Sequence, residues 1–131
     1  MAKVKENSTR SINKLAQLQC PVTYVMDRIG GHWKPIILYQ LMEGPKRYSE
    51  LKRAIPSITE KVLIQHLKQL QEDELVIRKA KNVVPPFVEY SLGSSGLTMK
   101  PLLHQMALWA VTDNQQRRGR KKVVPKQPEA A

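Results

Sequence analysis

The sequence predicts an α+β domain, mostly α: a winged helix-turn-helix with an added C-terminal dimerisation helix. Three observations predict it. Between positions 21 and 72, apolar residues recur at helical spacing in successive segments cut by Pro and Gly. The pattern then shifts to period two over "VIRKA" and "FVEYSL", on either side of the proline-containing loop "KNVVPP". A helical stripe returns after that, with Leu102, Leu103, Met106 and Trp109 on one face.

Each element has a local reason. Residues 8–19, "STRSINKLAQLQ", place Ile12, Leu15, Ala16 and Leu18 near helical spacing, so 1–19 is either an arm or a short amphipathic helix. Pro21 suits the first position of a helix, where its missing N–H costs nothing. Val22, Val25, Met26 and Ile29 then make an expected inward face, and Gly30-Gly31 stop the helix. The segment 32–42, with Trp33, Ile36, Ile37, Leu38, Leu41 and Met42, is apolar nearly all round and predicts a buried central helix. Pro35 falls in its first turn, and Gly44-Pro45 break it.

A short helix is expected in "RYSELKRAI", with Ser49 as cap and Leu51, Ala54 and Ile55 inward. Pro56 ends it. The next helix starts at Thr59 or at Ser57, where Glu60 would complete a capping box. Val88, Tyr90 and Leu92 mark a half-buried strand of the hairpin. The last helix should run from near Ser95 to Gln116, with Pro101 in its first turns or kinking it. The basic tail 117–131 lacks periodicity and is expected to be disordered.

Bulk properties narrow the function. A chain of 131 residues suits one domain, here 20–116. Its net charge of +11 suggests a polyanionic partner. Most of that excess is terminal, however: residues 1–19 carry +3 and 116–131 carry +5, leaving +3 for the middle. The globular part must therefore earn a nucleic-acid assignment by where its charges sit. No apolar run approaches the roughly 18 residues of a membrane span. The start "MAKVKENSTR" lacks the apolar core of a secretory signal. A single cysteine excludes an intrachain disulfide and suggests the cytoplasm. Three scattered histidines offer no metal spacing, and no phosphate loop or nucleophile elbow occurs, so neither cofactor nor enzymatic activity is expected.

The helix around 59–72 carries the functional signal. On a wheel with Leu63 at zero, Leu67 falls at about 40° and Leu70 at about −20°, a core stripe. Lys61, Gln65 and Lys68 fall at about 160°, 200° and 140°, the opposite side, with Ile64 at the margin. A helix docked in a major groove needs this division, leucines holding it to the domain while long donors reach base edges and phosphates. Lys61, Ile64, Gln65 and Lys68 are therefore expected in the major groove of double-stranded DNA. Ser49, Lys52, Arg53 and Thr59 would approach the backbone, with Lys79, Lys81 and Asn82 in the wing.

The stretches "CPVTYVMDRIGGHWKPIILYQLMEGPKRYSELKRAIPSITEKVLIQHLKQLQEDELV" and "VPPFVEYSLGSSG" resemble the HxlR-type transcriptional regulators, a winged-helix family related to MarR. The resemblance spans roughly residues 20–112. It implies a homodimer on an inverted repeat, a helix-turn-helix from 48–54 and 59–72, and a wing from 75–92. It also implies a sensor role for Cys20, because several members of the family sense oxidants or electrophiles through a cysteine in this motif. Three positions depart from the pattern: His66 where arginine is common, Glu74 for the usual glycine, and Phe87 for a frequent basic residue. The first and third reduce basic character.

Independently of the resemblance, Cys20 precedes a helix N-terminus, which favours thiolate. Arg28 or the basic arm would add to this. With no second cysteine, only a bridge between two protomers, a mixed disulfide or an alkyl adduct is open to it. The stripe Leu102, Leu103, Met106 and Trp109 is more apolar than a small domain covers internally, so it is expected at a two-fold dimer interface. Two readings compete with a sequence-specific regulator: a non-specific or architectural nucleic-acid protein, and a protein-interaction module. A small-molecule effector is left open.

Overall fold

Proline and glycine cut the chain where the sequence indicates. The computed structural model describes residues 20–117; the expected arm or helix at 1–19 and the tail beyond Arg117 lie outside the described residues. Helix α1 spans Pro21–Ile29 with Pro21 in its first turn. Gly31 follows at φ 92°, backbone that L side chains rarely adopt. Helix α2 spans Trp33–Leu41, and its Ile37, Leu38 and Leu41 are buried at the centre of the core.

Residues Lys46–Arg47 form a short strand, β1, which the sequence reading missed. It pairs antiparallel with β3, so the expected two-stranded hairpin is a three-stranded sheet in the order β1-β3-β2. Helix α3, Tyr48–Ala54, follows directly. Its N-cap is Arg47 rather than Ser49, and the Arg47 backbone N–H donates to Glu50 Oε1 at 2.8 Å. Strand pairing at Arg47 leaves the helix no other place to begin. Leu51 and Ile55 turn inward as expected, but Ala54 is exposed.

Helix α4 spans Glu60–Glu72, capped by Thr59, whose Oγ1 accepts the Val62 N–H at 3.2 Å. That decides the start against Ser57. Ile55 and Ile58 are both buried and pin the turn between α3 and α4. At the far end Glu74 has φ 60°, and Leu75 N–H reaches Leu70 C=O at 2.9 Å while Glu74 N–H reaches Gln71 C=O at 3.0 Å. This is a Schellman motif, which satisfies carbonyls the last turn would otherwise strand.

Strands β2, Val76–Lys81, and β3, Phe87–Leu92, pair antiparallel with Lys81 opposite Phe87. The expected single last helix is two: α5, Ser94–Thr98, and α6, Lys100–Gln116. Pro101 has no N–H for the preceding turn, so the chain breaks at Met99 and restarts with Pro101 in the first turn of α6. Gly96 lies so close to the Leu75 carbonyl that a Cβ there would collide with it.

One hydrophobic core joins α2, α3, α4, the sheet and α6. Leu63, Leu67 and Leu70 contribute the stripe the wheel predicts. On α1 the expectation fails in part: Ile29 is buried and Val25 packs against the core, but Val22 and Met26 are exposed. Both side chains keep more than half of their surface open.

Candidate nucleic-acid interface

Burying one face of α4 exposes the other. With Leu63 and Leu67 fully inside, Lys61, Ile64, Gln65 and Lys68 stand exposed along one side of the helix. Four positions named from the sequence thus share a single outward surface. Thr59 is exposed at the helix start; its hydroxyl accepts the cap hydrogen bond and still has a proton to donate. Ser49 and Arg53 are exposed on α3, whereas Lys52 is half-buried and donates to the Pro56 carbonyl at 3.4 Å, across the turn of the motif.

The wing carries a second group. Cross-strand partners share a face of a sheet, so the register puts Arg47, Lys79, Lys81, Glu89 and Phe87 on one side. Lys79, Lys81 and Asn82 are all exposed, as is Arg78 on the other face. Arg47 belongs with them and is not among the contact residues the sequence suggests. Pairing of β1 with β3 brings it there, and a two-residue strand has no periodicity to detect. The expectation that Phe87 only subtracts charge is incomplete. Its ring lies 4.1 Å from the Arg47 guanidinium carbon and 5.1 Å from Lys81 Nζ.

Cys20 is exposed at the N-cap of α1. Its thiol is held below the ordinary thiol range, first by the neighbouring Thr23 hydroxyl, then by the Thr23 and Val22 backbone amides at the start of α1. Arg28 plays no part in this. It lies over the Tyr24 ring at 3.5 Å and donates to the Tyr24 carbonyl at 3.3 Å, towards the other end of the helix.

On α6, Leu102, Met106 and Trp109 are exposed, Trp109 by 69%. Leu103 is not part of that stripe: it is buried in the core at 2%. Its spacing fits either role, and the contact of α6 with α2 decides for the core. Beside the stripe is a cleft of about 540 Å³, bounded by Tyr24 and Arg28 of α1, Glu72 at the end of α4, Glu74 just beyond it, and Met99 and Leu102. Among the described residues no cluster of His, Cys, Asp or Glu suits a metal ion, and no helix is long and apolar enough to cross a membrane.

A helix-turn-helix with a polar outer face on its second helix and a basic wing defines a winged-helix transcriptional regulator. The family model for the HxlR-like helix-turn-helix matches residues 28–118, and the chain belongs to that family. These are transcriptional regulators, not enzymes. The chain is 48% identical over 95 residues to the HTH-type transcriptional regulator YkvN of Bacillus subtilis (strain 168), covering 72% of this chain and 80% of YkvN. Among solved structures it is similar to the redox regulator HypR in its reduced form, at a TM-score of 0.70 and 40% identity over 76% of this chain and 97% of HypR. It is also similar to the reduced form of the transcriptional regulator YodB from B. subtilis, at 0.64 and 32%, covering 77% and 98%.

Proposed function

We propose that this regulator works in the cytoplasm as a homodimer that reads an inverted repeat in double-stranded DNA. The observation that carries the reading is the exposed row Lys61, Ile64, Gln65 and Lys68 above a fully buried leucine stripe. Lys61, Gln65 and Lys68 supply donors to base edges and phosphates, and Ile64 supplies apolar contact. Ser49, Arg53 and Thr59 approach the backbone from the helix-turn-helix, Lys52 steadies the turn, and Lys79, Lys81 and Asn82 approach from the wing. Leu102, Met106 and Trp109 supply the apolar surface for pairing within a unit spanning 20–116. The decisive test is competition fluorescence anisotropy on labelled DNA from upstream of the gene, at about 150 mM salt. The complex is expected to prefer its operator to unrelated duplex by roughly 10³-fold or more. A complex that dissolves in proportion to unrelated competitor would instead identify a non-specific architectural protein. No binding would leave a protein-interaction module.

A second reading rests on Cys20. An exposed thiol at the N-terminus of a helix, where neighbouring donors favour thiolate, is a nucleophile for oxidants and electrophiles. Similarity to the redox regulator HypR supports it. We infer that its modification changes DNA binding, through a mixed disulfide, an alkyl adduct or a bridge between the cysteines of two protomers. Mild diamide should alter operator affinity in the wild type and leave Cys20→Ser unchanged, with mass spectrometry reporting the adduct. Equal responses of the two proteins would end this reading.

A further inference from the structure

Phe87 stands where two cations meet. It opens β3 on the sheet face that also bears Arg47 from β1 and Lys79 and Lys81 from β2. The Arg47 guanidinium carbon lies 4.1 Å from the ring centroid and Lys81 Nζ 5.1 Å from it. Both distances fall inside the ~6 Å reach of a cation–π attraction. The two charges are therefore no farther apart than those distances laid end to end, which is comparable to the roughly 8 Å screening length at physiological salt. Their repulsion is only partly screened. Glu89 faces Arg47 and Lys79 across the strands, yet neither Arg47 nor Lys81 forms a salt bridge among the described residues.

A carboxylate between these cations would cancel them. An aromatic ring attracts both through its quadrupole and cancels neither, so both stay available to an anion. Contact with the ring also restricts two long side chains, which lowers the entropy lost when they grip a ligand. Arg47 immediately precedes α3, and Lys81 lies at the end of the wing's first strand. The ring thus ties the helix-turn-helix to the wing, two parts that must fit one duplex together. We propose that Phe87 is a positioning residue that holds Arg47 and Lys81 as a clamp for one backbone phosphate at this seam. The inference rests on the DNA-binding reading and names the chemistry of one of its contacts.

Salt-dependent anisotropy on the full chain tests it, with the upstream duplex and an unrelated duplex of equal length. Phe87→Leu, which keeps an apolar side chain but removes the ring, should bind both duplexes about two- to five-fold more weakly. Phe87→Tyr should restore binding. Arg47→Met should flatten the slope of log affinity against log salt by about 0.9. On the Arg47→Met background, Phe87→Leu should cost markedly less than it does alone. A merely structural role for Phe87 predicts the opposite, an undiminished loss on that background. That result, a wild-type Phe87→Leu, or no rescue by Tyr overturns the clamp while leaving the wild-type preference for the upstream duplex intact. If the operator reading is the one that fails, the two duplexes bind equally and the Phe87 and Arg47 effects persist on both. Absence of binding to either duplex overturns both ideas.

Discussion

At the scale of single residues, Glu74 shows how a departure from a family pattern acquires a cause. Its φ of 60° lies in the left-handed region, which costs a non-glycine residue roughly 1–2 kcal/mol. The Schellman turn that ends α4 needs that conformation, which explains why glycine is usual there. Glu74→Gly should therefore stabilise the domain by about 0.5–1 kcal/mol, part of the relief being offset by the entropy of glycine in the unfolded chain. Calorimetry should show the midpoint rising by about 2–6 °C. His66 is a second such residue. Its Nδ1 is buried without a hydrogen-bond partner, and burial, then the Lys34 charge, holds its pKa below the ordinary 6.5. Between the folded pKa and 6.5 the unfolded chain binds more protons, so the stability present above 6.5 is lost as pH falls through this window, and it is level above it. Urea midpoints measured at about pH 7.5 and about pH 5.5 should differ less in His66→Gln than in the wild type.

At the scale of elements, the proposed DNA-binding face of α4 combines two kinds of contact that substitutions can separate. Lys61→Met or Lys68→Met should weaken binding to all duplexes alike and lower the salt slope by about 0.9 each, the signature of a phosphate contact. Gln65→Ala should instead cost about 1–3 kcal/mol on the operator alone and relax preference at one base pair. Anisotropy on a panel of single-base operator variants distinguishes these outcomes. The leucine stripe of α4 was legible because a helix buries residues at its own local period. The break before α6 was only half legible: Pro101 marks a disturbance, but whether the helix bends or restarts depends on how α5 packs against Leu75. Strand β1 was not legible, since two residues acquire strand geometry only from their partners in β3.

At the scale of the whole molecule, the exposed apolar residues of α1 and α6 matter more than any one contact. Val22, Met26, Leu102, Met106 and Trp109 are all more than two-fifths exposed, more apolar surface than isolated surface residues explain. Trp109→Glu should shift the chain to monomer in light scattering and reduce operator affinity at least ten-fold, because one recognition helix then faces one half-site. In the proposed dimer the two α4 helices should meet half-sites roughly 34 Å apart, one turn of DNA. An operator with its half-sites moved by five base pairs should lose the cooperative complex. Unchanged stoichiometry in Trp109→Glu would place the dimer interface elsewhere.

The sequence by itself determined the order of helices, the hairpin that follows them, the buried stripe of α4 and the polar row opposite it. These follow from periods of 3.6 and 2 and from Pro and Gly, all of which act over a few residues. Tertiary structure alone decided which side of ambiguous residues faces in: Leu103 into the core, Val22 and Met26 out of it, Ala54 into solvent. It also decided what stands beside what. Arg47, Lys81 and Phe87 come from three strands, and only their pairing brings two charges to one ring. Local periodicity shows which face of an element is apolar; neighbours distant in the chain decide what covers that face and which side chains meet.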